Sequence, residues 1–237
     1  MTIEGAGARK GFGSWKTALA AGLIGAVVGG GGVAYVSRES VRDYLLENPE
    51  ILPEAMDRLR SREAAKMISA NRAALERPFA GAWAGAADGD VVLVEFFDYA
   101  CGYCRKSNSD IDRLLREDPK LKVVWREWPV LGPDSEAAAR ASLAAAQAGR
   151  FKPFYDALFA AGRPTPEALA KARAGAGLGA DVPAPVADQE LARNFELARG
   201  LEATGTPTFV VGDQILQGAV GYESLRDAIK EARAKKG

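Results

Sequence analysis

The stretch VEFFDYACGYCRKS, residues 94–107, holds both cysteines of the chain, Cys101 and Cys104. The residues before them, VVLVEFFDY from Val91, are β-branched and aromatic, which predicts a buried strand. The residues after them predict a helix running to about Arg116. On that helix Cys104, Ile111, Leu114 and Leu115 share one face, so Cys104 is expected to point inward. Cys101 falls at the helix N-terminus, where free N–H groups and the partial positive charge of the helix stabilise a thiolate. A disulfide between the two would close a ring of four residues and restrain little of the unfolded chain, so its stabilising value is small. The pair is better suited to chemistry. Three-residue spacing sets the second sulfur one helical turn from the first, within bonding reach. Cys101 is then the exposed nucleophile that attacks a substrate disulfide, and Cys104 the thiol that resolves the mixed disulfide. Glu95 interrupts the apolar strand. A buried carboxyl beneath the cysteines would have a raised pKa and would suit the proton that Cys104 must lose. Its alternative role is an edge-strand or ion-paired acid, with Arg126 as the partner.

Composition removes other chemistry. The chain has no histidine. This excludes His-based acid–base catalysis and Cys-His pairs, and a four-ligand zinc site has no second pair of Cys or His to complete it. Lys and Arg number 31, as do Asp and Glu, and no basic stripe stands out, so nucleic acid is not an expected partner. No cofactor is expected. Cu(I), which needs only two soft thiolates, stays open as an alternative ligand of the cysteine pair, and an inert structural disulfide is the third reading.

The N-terminal part divides into three. Residues 17–36, TALAAGLIGAVVGGGGVAYV, carry no charge and are long enough to cross a bilayer, with Arg9, Lys10 and Lys16 before them. Residues 1–37 are therefore expected to form a cytoplasmic tip and membrane anchor, with a cleaved signal peptide as the alternative. Either delivers the rest of the chain outside the cytoplasm, where disulfides persist. Residues 38–80 predict a helical extension interrupted at Pro49 and Pro53. Its apolar positions, among them Val41, Tyr44, Leu45, Leu52, Met56, Leu59, Met67, Ile68 and Leu75, need a cover. Because the segment precedes the domain, self-association is the expected cover, with packing on its own domain as the alternative. Residues 81–90, small and glycine-rich, predict a linker.

From residue 91 the predicted order is strand, helix, strand (LKVVWREWPV, 121–130), a helical block over about 134–202, two short strands around a Gly-Asp turn, and a closing helix. With CxxC at the first strand-to-helix junction, this is a thioredoxin-type α/β arrangement. The segments VEFFDYACGYC, REWPVLGPDSEAAARASLAA and GTPTFVVG together resemble the DsbA-like branch of thioredoxin-fold thiol–disulfide oxidoreductases. That resemblance covers residues 91–237 and makes the helical block that branch's inserted domain. VRDYLLENPEILPEAMDRL resembles the N-terminal extension of the Com1-like and suppressor-of-copper-sensitivity branch, which oligomerises some of its members.

The resemblance implies residue roles. Thr206 and Pro207 become the pair before and at a cis-proline that faces the cysteines and binds substrate, and Gly102 and Tyr103 complete the substrate contact. Glu95 stands six residues before Cys101, the family's place for an acid. Gly-Tyr between the cysteines, with Thr before the proline, is the combination of DsbC-type disulfide isomerases. The His that strong oxidants of the family carry between their cysteines is missing, which implies a milder oxidant. The expected function is protein disulfide isomerisation, with a DsbA-like thiol oxidase as the alternative. Unfolded or misfolded secreted proteins are the expected substrates, a membrane protein the redox partner, and the inner membrane with its periplasmic face the location. A soluble periplasmic form is the alternative.

Overall fold

The computed structural model describes residues 40–178 and 184–236. The chain divides into two compact units, Met1–Arg58 and Leu59–Gly237.

In the first unit a helix, α1, covers residues 40–47. Asn48 ends it by donating its side-chain amide to the Tyr44 carbonyl at 2.9 Å. Pro49 lies in the break that follows. Pro53 does not break anything: it sits in the first turn of α2 (Ile51–Glu76), where a helix has no intrahelical N–H bond to lose. Val41, Tyr44, Leu52 and Met56 are exposed.

The second unit is built on a five-stranded sheet in the order β1-β3-β2-β4-β5. Its strands are β1 (Trp83–Gly85), β2 (Val91–Phe97), β3 (Leu121–Glu127), β4 (Thr208–Val211) and β5 (Gln214–Gln217). β2 and β3 run parallel, joined by α3 (Gly102–Glu117); the other pairs are antiparallel. Four helices separate β3 from β4: α4 (Pro133–Gln147), α5 (Phe151–Ala161), α6 (Pro166–Gly175) and α7 (Ala184–Gly200). α8 (Tyr222–Ala234) closes the chain.

Alternation along the strands creates two cores. Leu93, Phe97, Val123, Trp125, Phe209 and Val211 pack against Ile111 and Leu114 of α3, Phe154 and Tyr155 of α5, and Leu225 and Ile229 of α8. Val94, Phe96, Val124 and Val210 face the other way, onto Ile68 and Leu75 of α2 and Leu197, Ala198 and Leu201 of α7. This corrects the expectation that residues 38–80 lie outside the catalytic domain for the part from Leu59 onward, which belongs to the unit that holds the sheet. Met67, Ile68 and Leu75 already have a cover, because α2 shares this face of the sheet with α7.

The expected linker over 81–90 is also corrected. Trp83, Ala84 and Gly85 pair with Val124, Val123 and Lys122 as an edge strand. Ala82 is buried. Gly85 has φ 89°, and a Cβ there would lie 2.2 Å from the Leu121 carbonyl oxygen, so glycine is required by closeness rather than by flexibility.

Arg126 ties the second core together. Its side chain is 2% exposed and ion-pairs with Glu190 at 3.0 Å. It also donates to Asn194 Oδ1 at 2.9 Å and to the carbonyls of Ala74, Leu75 and Arg77 at the end of α2. One guanidinium thus joins β3, α7 and the helix that enters the domain.

Candidate active site

The site forms where β2 ends. Asp98 organises the turn: one carboxylate oxygen accepts from Ala100 N at 2.8 Å, and the other from Val130 N and Leu131 N at 2.9 and 3.0 Å. The loop after β3 is thereby fastened beside the cysteines. Cys101 follows as the N-cap residue of α3, and Cys104 sits in the helix's first turn; both are free thiols.

Cys104 is wholly buried, among the apolar residues that its helical position implies. Cys101 is more accessible but not the open thiol expected, being 6% exposed. The chain before β4 folds over it: Cys101 Sγ, when protonated, donates to the Thr206 carbonyl at 3.2 Å, and the Thr206–Pro207 peptide is cis. Tyr103 is 68% exposed, and the space where a Gly102 Cβ would stand is open, so the surface beside Cys101 is unobstructed on that side.

Cys101 is held as a thiolate, its pKa lowered to about 5. The largest cause is the Cys104 thiol, which donates to it; the Thr206 side chain and the N–H groups of Cys104 and Tyr103 add to this, against the opposing effect of burial. No side-chain cap bond at full geometry is made by Cys101, so the amides act as nearby dipoles rather than as formed bonds. Burial pushes the Cys104 thiol well above its usual range, and its bond to Cys101 and the charge of Glu95 push the same way. The two sulfurs therefore differ in the sense that attack by the first and resolution by the second require. Titration of the reduced protein by thiolate absorbance is expected to give a midpoint near 5. Cys104→Ala should raise it more than Thr206→Val does. A midpoint in the ordinary thiol range, about 8.5, would rule this arrangement out.

Glu95 lies beneath the pair, fully buried on the central strand. Burial raises its pKa to about 8. Trp125 and Tyr155 pull it down, and the charge of Cys101 pushes it up. Tyr155 Oη donates its one hydrogen to Asn108 Oδ1 at 2.7 Å and lies 3.5 Å from Glu95 Oε2. The Trp125 indole N–H is close enough to act on Glu95 without reaching hydrogen-bond geometry. The alternative pairing with Arg126 does not occur. Glu95 is in register with Trp125, and Phe96 with Arg126, so the guanidinium leaves the opposite face of the sheet.

Asp98, Trp125, Tyr155 and Glu127 are site residues that the sequence reading missed. Asp98 stands inside FFDYAC and had a readable signal, an Asp before a helix start. Glu127, in WREWP, follows Arg126, and no local signal separates it from a solvated strand end.

Two sulfurs of unequal proton affinity at a strand-to-helix junction, faced by a cis-proline and underlain by a buried acid, define a thioredoxin-fold thiol–disulfide oxidoreductase. Residues 92–230 match the DSBA-like thioredoxin domain, and residues 38–66 match the copper resistance protein ScsC N-terminal domain. The chain belongs to the DsbA-like thioredoxin-domain family, in its suppressor-of-copper-sensitivity branch. A thioredoxin-like oxidoreductase from Silicibacter pomeroyi is similar at 38% identity and a TM-score of 0.64, over 69% of this chain and 96% of that one. A linker-deleted variant of Proteus mirabilis ScsC is similar at 30% identity and a TM-score of 0.71, over 85% and 95% of the two chains. Among curated proteins, the Na(+)/H(+) antiporter NhaA 3 of Salinispora tropica is 29% identical over 158 residues. That match takes 63% of this chain but only 24% of the antiporter, so the chain spans about a quarter of the length of that relative.

Proposed function

We propose that the chain acts on protein disulfides as an isomerase outside the cytoplasm. The observation that carries this reading is the stabilised Cys101 thiolate. An isomerase starts its cycle reduced, and the Cys104 and Thr206 contacts keep Cys101 reactive at neutral pH. Its pKa of about 5 lies between those of thioredoxin, about 7, and the strong oxidant DsbA, about 3.5. This supports a milder oxidant than DsbA. In the cycle, the Cys101 sulfur attacks one sulfur of a substrate disulfide and releases a substrate thiolate. That thiolate attacks a second substrate disulfide, and the thiolate freed there attacks the substrate sulfur of the mixed disulfide and expels Cys101, which completes the shuffle; otherwise Cys104 resolves the mixed disulfide after giving its proton to the Glu95 carboxylate. Thr206, Pro207, Gly102 and Tyr103 bound the opening through which substrate approaches.

Exposed apolar residues of the N-terminal unit support the same reading through self-association. Val41, Tyr44, Leu52 and Met56 remain exposed in the unit that matches the ScsC N-terminal domain, and a second copy of this unit would cover them. Several thiolates held near one substrate raise the effective concentration for the second attack. The partners in this reading are misfolded secreted proteins, further copies of the chain and a membrane redox protein. Among the described residues no helix is long and apolar enough to cross a membrane, and residues 17–36 lie outside them. The uncharged run at 17–36 supports an inner-membrane anchor with the catalytic domain in the periplasm, or a cleaved signal. A resident copper ion fits the site poorly. It would take both sulfurs as thiolates, and burial holds the proton on Cys104.

The test is refolding of a scrambled disulfide substrate in a glutathione buffer, with light scattering on the same samples. The wild type is expected to be oligomeric and to recover activity of the substrate. Leu52→Glu with Met56→Glu should be monomeric, keep thiol reactivity and lose most isomerisation. A wild type that fails to isomerise would favour the oxidase reading instead, and full isomerisation by the monomeric variant would remove assembly from the mechanism while isomerisation stands.

A further inference from the structure

Glu127 is a buried acid that the exchange cycle above does not use. It ends β3, is 1% exposed, and lies on the same sheet face as Glu95. The register places Glu95 beside Trp125 and Phe97 beside Glu127, so the two acids are one step apart on neighbouring strands. No cation reaches that face from β3, because the guanidinium of Arg126 is spent on Glu190, Asn194 and the end of α2. Glu95 Oε1, Trp125 Nε1 and both carboxyl oxygens of Glu127 have no hydrogen-bond partner among the described residues. Each such atom costs about 1–3 kcal/mol when buried alone, so a row of four is expensive unless its members serve one another at some stage of the cycle. Only a protonated Glu127 can both donate and accept in that row. Burial does keep it protonated, with the charges of Asp98 and Glu95 adding to the effect and Ser142 of α4 opposing it.

We propose that Glu127 is a positioning residue for Glu95: a neutral carboxylic acid whose O–H turns to support the Glu95 carboxylate before that carboxylate takes the Cys104 proton. The inference rests on the reading of Glu95 as proton acceptor. In the step it serves, the S–H bond of Cys104 breaks and an O–H bond forms on Glu95. The Cys104 sulfur then bonds to Cys101, the bond from Cys101 to the substrate sulfur breaks, and the substrate leaves as a thiolate. The Cys104 sulfur is oxidised and the substrate sulfur is reduced, while Cys101 stays at the disulfide level, with no outside oxidant. The titratable groups around the two acids are Cys101 and Cys104 of α3, Asp98 and Tyr99 of the turn before it, and Tyr155 of α5. Tyr99 is engaged with Ser142 at 2.7 Å, and Tyr155 with Asn108 at 2.7 Å, so neither hydroxyl replaces the Glu127 donor.

The experiment measures the rate of the resolving step against pH in the full chain, for the wild type, Glu95→Gln, Glu127→Leu and Glu127→Gln. The wild-type rate should rise with a midpoint near 8 as Glu95 loses its proton. Glu127→Leu should move that midpoint up by about one unit, which is about a tenfold loss at neutral pH. Glu127→Gln keeps an N–H donor and should restore the wild-type midpoint. Attack by Cys101, measured in a Cys104→Ser background, should be unchanged by either Glu127 variant. If Glu95→Gln abolishes the pH dependence but Glu127→Leu leaves the midpoint in place or lowers it, the role of Glu127 is overturned and that of Glu95 stands. If Glu95→Gln itself changes nothing, the reading of Glu95 fails and the inference built on it falls too.

Discussion

Cys104→Ser is expected to accumulate covalent mixed disulfides with substrate proteins, while Cys101→Ser forms none and loses exchange activity to background. The asymmetry comes from proton affinity. With a pKa of about 5, Cys101 is almost wholly thiolate at neutral pH. An ordinary thiol with a pKa of about 8.5 would be only about 3% thiolate there, so the site raises the reactive fraction by roughly thirtyfold. Cys104 keeps its proton because burial opposes its charge, and it is the thiol that supplies the largest stabilisation of the Cys101 anion. Its removal should therefore weaken the nucleophile somewhat as well as block resolution, and trapping should remain visible. Non-reducing electrophoresis of the two variants with a reduced and an oxidised substrate decides the matter. Trapping by Cys101→Ser, with none by Cys104→Ser, would reverse the assignment.

The other large effect is on stability. Arg126→Ala is expected to destabilise the domain by about 3–5 kcal/mol, the cost of breaking a buried ion pair from one side. It strands the Glu190 carboxylate, Asn194 Oδ1 and the carbonyls of Ala74, Leu75 and Arg77 at once. Asn194 also donates to the Glu127 carbonyl at 3.1 Å, so the loss spreads to the strand that carries the second acid. Arg126→Lys should recover only part, since one ammonium cannot match a fork that serves five acceptors. Urea unfolding followed by far-ultraviolet circular dichroism measures this. A midpoint within error of the wild type in Arg126→Ala would show that the ring of acceptors finds water instead.

The two acids mark how far alternation can be read. Glu95 drew notice because its neighbours Val94, Phe96 and Phe97 are apolar and the cysteines follow within a few residues. Glu127 sits between Arg126 and Trp128, where charge next to charge reads as a solvated strand end. Only the burial of both faces of β3, by α2 and α7 on one side and by α4 and α5 on the other, turns it into an enclosed acid.

The sequence by itself determined the strand–CxxC–helix unit, the inward turn of Cys104, the place of Cys101 at a helix N-terminus, and the order of elements from Val91 onward. These depend on periodicity and spacing within one strand and one helix, which a chain carries locally. Tertiary structure alone decided three things: that Met67, Ile68 and Leu75 belong to the catalytic domain, that residues 83–85 are an edge strand rather than a linker, and that the Thr206 carbonyl closes over Cys101 and leaves it 6% exposed where the sequence predicts an open nucleophile. Each joins groups far apart in the chain; Cys101 and Thr206 are separated by 105 residues. An amphipathic stripe states that a face must be buried, and a glycine-rich run that the chain approaches something closely or turns. Neither states what lies opposite, because burial is non-directional and its partner is chosen by the assembled sheet.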